Sequence, residues 1–164
     1  MLGPDFRDML SAFIDQKVEF LVVGAHAMAA HGFARSTGDI DLWIARSEEN
    51  AARTIAALRQ FGAPLFDLTE EDLVTPGIVF QIGVEPHRID ILTRISGLEF
   101  DEAWPGRHNV NVNSLEFAVI GLDDLIRNKR ASGRPKDILD ISVLEAGDAE
   151  IASDSDDDHS AGDS

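Results

Sequence analysis

Two carboxylates set two residues apart, Asp39 and Asp41 in the run DIDLWI, are the side chains in this sequence best suited to chemistry. Asp39, Asp41 and Trp43 alternate with Ile40, Leu42 and Ile44, which is the period of an extended strand, so both acids belong to one face. Two residues of strand rise about 6.6 Å, close enough for both carboxylates to address one site. Like charges held so near each other must raise a pKa or recruit a cation, and hard oxygen donors select Mg²⁺ or Mn²⁺. Asp-x-Asp by itself is a common pair that equally suits a solvated strand face. A third acid, Asp90 in the run RIDIL, shares a strand face with Arg88 and Leu92, opposite Ile89 and Ile91. On its own it reads as a partner for Arg88 or for a cross-strand side chain.

A phosphate cradle precedes the paired acids. The apolar run from Phe20 to Val23 stops at Gly24, and AHAMAAH follows before Gly32, a pattern of strand, turn and helix. Backbone N–H groups of Gly24, Ala25 and His26 then stand at a helix start, where an anion is favoured and glycine permits close approach. Arg35, Ser36 and Thr37 lead from this helix into the Asp39 strand. Far along the chain, Arg127, Lys129, Arg130, Arg134 and Lys136 form a basic segment in an otherwise acidic protein. Helix ends at a surface account for them, and so does a patch facing a triphosphate.

These groups need a scaffold, and the pattern supplies one. Phe6, Met9, Leu10, Phe13 and Ile14 recur at helical spacing from Pro4 to Gln16. Ser47 caps a second helix whose apolar residues run from Ala52 to Phe61 before Gly62. GIVFQIGV and RIDILT, joined through Glu85-Pro86-His87, form an antiparallel hairpin, with a short helical turn before it at Glu70 to Leu73. HNVNV and Phe117 to Ile120 are short strands expected at the edge of the sheet. Trp104 reads as a rim or core aromatic. A helix starting at Leu122 stops at Gly133, and Pro135 opens another with Ile138, Leu139, Ile141, Val143 and Leu144 as its apolar side.

A chain of 164 residues with 44% hydrophobic content makes one domain, expected to span 1–147. Residues 148–164 carry seven acids and no basic residue, the composition of a disordered acidic tail. The net charge of −16 argues against binding duplex DNA over a broad basic surface, though not against a small nucleotide or an RNA end. The absence of cysteine excludes disulfides and thiolate chemistry, and no stretch suits a signal peptide or membrane span, so the cytoplasm is the expected location. Walker, dinucleotide and nucleophile-elbow motifs are missing. His26 and His31 lie five apart, off a single helix face, which disfavours zinc.

The stretch GAHAMAAHGFARSTGDIDLWI resembles the signature of polymerase-beta-like nucleotidyltransferases, and especially the small bacterial minimal and abortive-infection-toxin types with an Arg-x-Thr-x-Asp-Ile-Asp run. NKRASGRPKD resembles their C-terminal element. The resemblance implies an α/β (α+β) fold, a mixed, partly antiparallel sheet flanked by helices. It implies that Asp39, Asp41 and Asp90 hold two Mg²⁺ or Mn²⁺ ions, with Asp90 also the base toward an attacking hydroxyl. A nucleoside triphosphate would lie on Gly24 and Ala25, held by Arg35, Ser36 or Thr37 and covered by Lys129, Arg134 or Lys136. The acceptor would be an RNA end, a protein or a small molecule such as an aminoglycoside, with an antitoxin as partner if the chain is a toxin. Ala25 replaces the Gly or Ser usual in that family, so a hydroxyl contact is lost while backbone contacts survive. The alternative is a noncatalytic nucleotide- or protein-binding module that kept the fold.

Overall fold

The computed structural model describes residues 2–33 and 38–147. Arg35, Ser36, Thr37 and the acidic segment 148–164 lie outside the described residues. In chain order the elements are α1 (Pro4–Asp15), β1 (Phe20–Val23), α2 (Ala25–Ala30), β2 (Ile40–Ile44), α3 (Glu48–Phe61), α4 (Glu70–Val74), β3 (Val79–Ile82) and β4 (Ile89–Leu92). They continue with α5 (Phe100–Ala103), a 3₁₀ turn (Trp104–Gly106), β5 (His108–Val112), β6 (Leu115–Val119), α6 (Leu122–Ser132) and α7 (135–147).

The strands form one six-stranded mixed sheet in the order β3-β4-β2-β1-β6-β5. β1 runs antiparallel to β2 and parallel to β6, while β2 runs parallel to β4. Two antiparallel hairpins, β3-β4 and β5-β6, close the flanks. All four residues of β1 are buried, as a central strand covered on both faces requires. α1 starts on Pro4 and buries Phe6, Met9, Leu10 and Phe13, packing against α3. α3 begins where Ser47 Oγ accepts the Asn50 N–H and ends at Gly62 in the left-handed region. Buried Asn50 accepts from Glu19 N–H at 2.7 Å and donates to the carbonyls of Glu19 and Ala45, joining the start of β1 to the end of β2. The last strands pin the site end of β1 through Val22, which pairs with Val119.

Three particulars differ from what patterning suggests. β6 lies inside the sheet beside β1, and of these two late strands β5 alone is at an edge. The reason is composition: Phe117, Ala118 and Val119 are all buried, while HNVNV keeps its polar residues exposed. Trp43, on the acidic face of β2, is fully buried against Phe100 with ring centroids 5.1 Å apart. Only the beginning of that face is open, therefore. Phe100 in turn stacks on half-buried Trp104, over which the Arg107 guanidinium sits at 4.2 Å.

The third difference concerns α7. Of its apolar residues only Leu144 is buried and Ile141 partly so, whereas Ile138, Leu139 and Val143 are 57%, 69% and 52% exposed. The inward stripe is Asp137, Asp140 and Leu144, spaced three and four apart. Lys129 of α6 is buried opposite those acids, and an ammonium removed from water needs carboxylates more than the apolar residues need cover.

Candidate active site

The register of the sheet brings the acids together. Asp41 of β2 pairs laterally with Asp90 of β4 in a parallel ladder, so their side chains leave the same face about 4.8 Å apart at the backbone. Asp39, two residues before Asp41, is fixed by the partner strand: the Arg88 N–H donates to its Oδ1 at 2.9 Å, and the neighbouring Ile40 N–H donates to the Arg88 carbonyl at 3.0 Å. All three acids line one cleft of about 650 Å³, a size suited to a nucleotide-scale ligand. Gly24, Ala25, Lys129, Arg134 and Lys136 line it too.

Crowding has a measurable cost. Burial, the adjacent Asp90 and then the more distant Asp39 push the Asp41 carboxyl up to about 6, against the pull of Lys136. Asp90, 7% exposed, accepts from Arg88 Nε at 2.8 Å and from Nη2 at 3.2 Å. Nη2 is also 3.4 Å from Asp39 Oδ2, and Nη1 is 3.2 Å from Glu85. Among the described residues no three acidic or imidazole groups converge as they stand into a set that would enclose a metal ion. The Arg88 guanidinium bridges Asp39 and Asp90 instead. Sequence pattern offers Arg88 only as a neighbour of Asp90; the fork to both strands needs the parallel register.

Gly24 is the floor of the cleft. Its backbone, φ 74° and ψ −148°, lies in a region essentially reserved for glycine. A Cβ there would stand 2.6 Å from Asp41 Oδ2. The turn thus brings bare backbone against the acid, with the N–H groups of Ala25 and His26 ahead of the first helical bond, Ala27 N–H to Gly24 C=O. α2 has only six residues, so any anion here meets individual N–H groups rather than a long helix dipole. Gly24→Ala is expected to cost about 1–3 kcal/mol of stability from backbone strain. It should also displace Asp41 and lower any chemistry done in this cleft by about a hundredfold, the usual toll of an ångström-scale misplacement. A melt together with an activity assay checks both, and a full-activity Gly24→Ala protein would show the close approach to be dispensable.

The cations separate into two groups. Lys129 Nζ is 3.0 Å from Asp140 and 3.8 Å from Asp137, with all three side chains buried. Arg134 Nε donates to Asp137 at 2.7 Å while most of its side chain stays exposed. Burial works to raise the Asp137 pKa, but bonds from Arg134 and Ser132 and the charges of Arg134 and Lys129 hold it below the ordinary carboxylate range. Lys136 and Arg94 line the cleft, are exposed, and form no ion pair among the described residues. Arg94 escapes sequence reasoning because nothing about ILTRIS marks an arginine as facing a cleft.

The histidines do other work. His31 Nε2 donates to the Ile120 carbonyl at 2.7 Å and its ring lies 5.1 Å from that of His108, tying the end of α2 to β6 and β5. His26 packs edge-on to Phe6 at 5.5 Å, and burial lowers its pKa.

Residues 4–156 match the model of a family described as nucleotidyl transferase of unknown function (DUF2204). No curated protein matches the sequence. Among solved structures, a Thermotoga maritima protein described as a "putative nucleotidyltransferase", determined at 1.87 Å, superposes with a TM-score of 0.52. The match covers 93% of this chain and 91% of that one at 18% identity, a likeness of fold.

Proposed function

Because this chain belongs to the nucleotidyl transferase family DUF2204, matched over residues 4–156, we propose that it moves a nucleoside monophosphate from a nucleoside triphosphate to a hydroxyl acceptor. The acceptor oxygen bonds to the α-phosphorus, the bond from that phosphorus to the bridging oxygen breaks, and pyrophosphate leaves with the electron pair. The hydroxyl proton passes to Asp90. The observation that carries this reading is that Asp39, Asp41 and Asp90 line one cleft together with Gly24 and with Lys136 and Arg94, which form no ion pair among the described residues.

Asp41 on β2, raised to about 6 by burial and by Asp90, Asp90 level with it on β4, and Asp39 just ahead of β2 are hard oxygen donors of the kind a divalent cation takes, although they do not enclose one as they stand. The missing Cβ of Gly24 leaves room beside Asp41. Asp39, Asp41 and Asp90 would hold two Mg²⁺ or Mn²⁺ ions, which supply neutralisation of the triphosphate and activation of the attacking hydroxyl. Lys136 and Arg94, which form no ion pair among the described residues, are the side chains that would meet the phosphates, with Arg134 able to join them from its exposed edge. Lys129 supports them from beneath by anchoring α7. Such preorganised charge is what this reaction chiefly needs.

The acceptor is proposed to be an RNA end, a protein or a small molecule such as an aminoglycoside, and a toxin role with an antitoxin partner fits the first two. The test is incubation with each labelled nucleoside triphosphate, Mg²⁺ and each class of acceptor. Label transfer that disappears in Asp41→Asn supports the transferase. Tight nucleotide binding without transfer to any acceptor would instead assign the noncatalytic binding module.

A further inference from the structure

The cleft already contains a cation shared by its acids, and that cation is Arg88. Its guanidinium forks onto both oxygens of Asp90, at 2.8 and 3.2 Å, and reaches Asp39 at 3.4 Å, so one side chain bridges acids from β2 and β4. Its remaining edge faces Glu85 at 3.2 Å, a side chain that is 70% exposed at the rim of the cleft. A planar fork of this kind takes up one lone pair on each oxygen of Asp90 and sets a positive charge where a metal ion would have to approach. The backbone of Arg88 makes its own bonds to Asp39 and Ile40, so β2 and β4 remain joined wherever the side chain goes.

We propose that Arg88 is a displaceable counter-ion. In the metal-free protein it holds Asp39 and Asp90 side by side; when a divalent cation arrives, it releases both and turns out toward Glu85. The inference rests on the metal-dependent reading above and adds a cost to it, since every ion that binds must first displace a charge-assisted fork. Divalent cations should accordingly bind the wild-type cleft weakly by themselves.

Manganese binding to the full chain, followed by the loss of the free-ion paramagnetic resonance signal, tests this without reference to turnover. Arg88→Gln should bind Mn²⁺ at least about tenfold more tightly than wild type, the scale of one charge-assisted hydrogen bond. Arg88→Lys should fall between the two, because an ammonium keeps the charge but cannot fork both oxygens. Lys136→Gln removes an equal charge from the same cleft without touching Asp90, and should tighten binding by less than about threefold, as a screened exposed charge does. Equal affinities in wild type and Arg88→Gln, or a Lys136→Gln effect as large as that of Arg88→Gln, would overturn the role. Should Arg88→Gln fail to fold, Arg88→Lys with Glu85→Gln decides the matter: the first must still tighten Mn²⁺ and the second, which removes the outward partner, must loosen it. Folded wild type and variants that all ignore Mn²⁺ would sink the metal-dependent reading too, whereas wild-type binding that Arg88 variants leave unchanged would sink only this one.

Discussion

Asp41→Asn is expected to abolish the proposed nucleotidyl transfer, by about a thousandfold or more, while making the metal-free protein more stable at neutral pH. The activity loss follows from removing the carboxylate that lies level with Asp90 and two residues from Asp39, in a site proposed to work by charge stabilisation. The stability gain follows from the same position. Below about pH 4 Asp41 is protonated in both native and unfolded chains and contributes nothing. From there to about 6 the native protein keeps a proton that the unfolded chain has released, so stability falls as the pH rises, and above 6 the penalty is constant. A carboxyl raised from 3.8 to about 6 corresponds to a penalty on the order of 3 kcal/mol. Denaturant melts of wild type and Asp41→Asn should therefore coincide near pH 4 and separate progressively to pH 7, with the asparagine form the more stable. Added Mn²⁺ should stabilise only the wild type. Parallel melts across this range would mean that Asp41 is not crowded.

Lys129→Met is expected to destabilise the protein by about 3–5 kcal/mol, the toll of leaving buried carboxylates without their cation. Asp137 and Asp140 are almost fully buried, and Lys129 is the ammonium facing both. Arg134 still bonds Asp137, so part of the cluster's neutralisation survives the change. α7 should loosen first, because three of its larger apolar residues face solvent and cannot hold it in place. Activity should drop with it, since Lys136 is carried on this helix. Adding Asp140→Asn to Lys129→Met should restore part of the loss, a coupling that a double-mutant cycle reads directly. A Lys129→Met protein that melts within about half a kcal/mol of wild type would show the buried cluster to be unimportant, since a change of that size is what a surface substitution makes.

The sequence carried the strands and helices that have a strong period and left out what depends on contacts across the sheet. Alternation in DIDLWI and RIDIL was enough to place Asp41 and Asp90 on strands, though β2 starts at Ile40 and leaves Asp39 just ahead of it, and Gly24 announced the turn, because these are local patterns. Whether Asp41 and Asp90 lie level depends on the register of a parallel pair separated by 49 residues, which no local pattern specifies. The same nonlocality hid Arg88 as a bridge and made β6 look like an edge. α7 misled for a different reason. Counting apolar residues at helical spacing assumes that burial is driven by hydrocarbon, and here a buried ammonium on α6 reversed which stripe faces inward. Arg35, Ser36 and Thr37, carried by the resemblance, lie outside the described residues and stay a proposal.

The cleft draws its charges from distant parts of the chain. Asp39, Asp41 and Asp90 share the early part of the sequence with Arg88 and Arg94, while Lys129, Arg134 and Lys136 belong to the last two helices. A chain that has emerged from a ribosome only through β6 would therefore set those acids against Arg88 and Arg94 alone. Three further cations join the cleft when α6 and α7 seat.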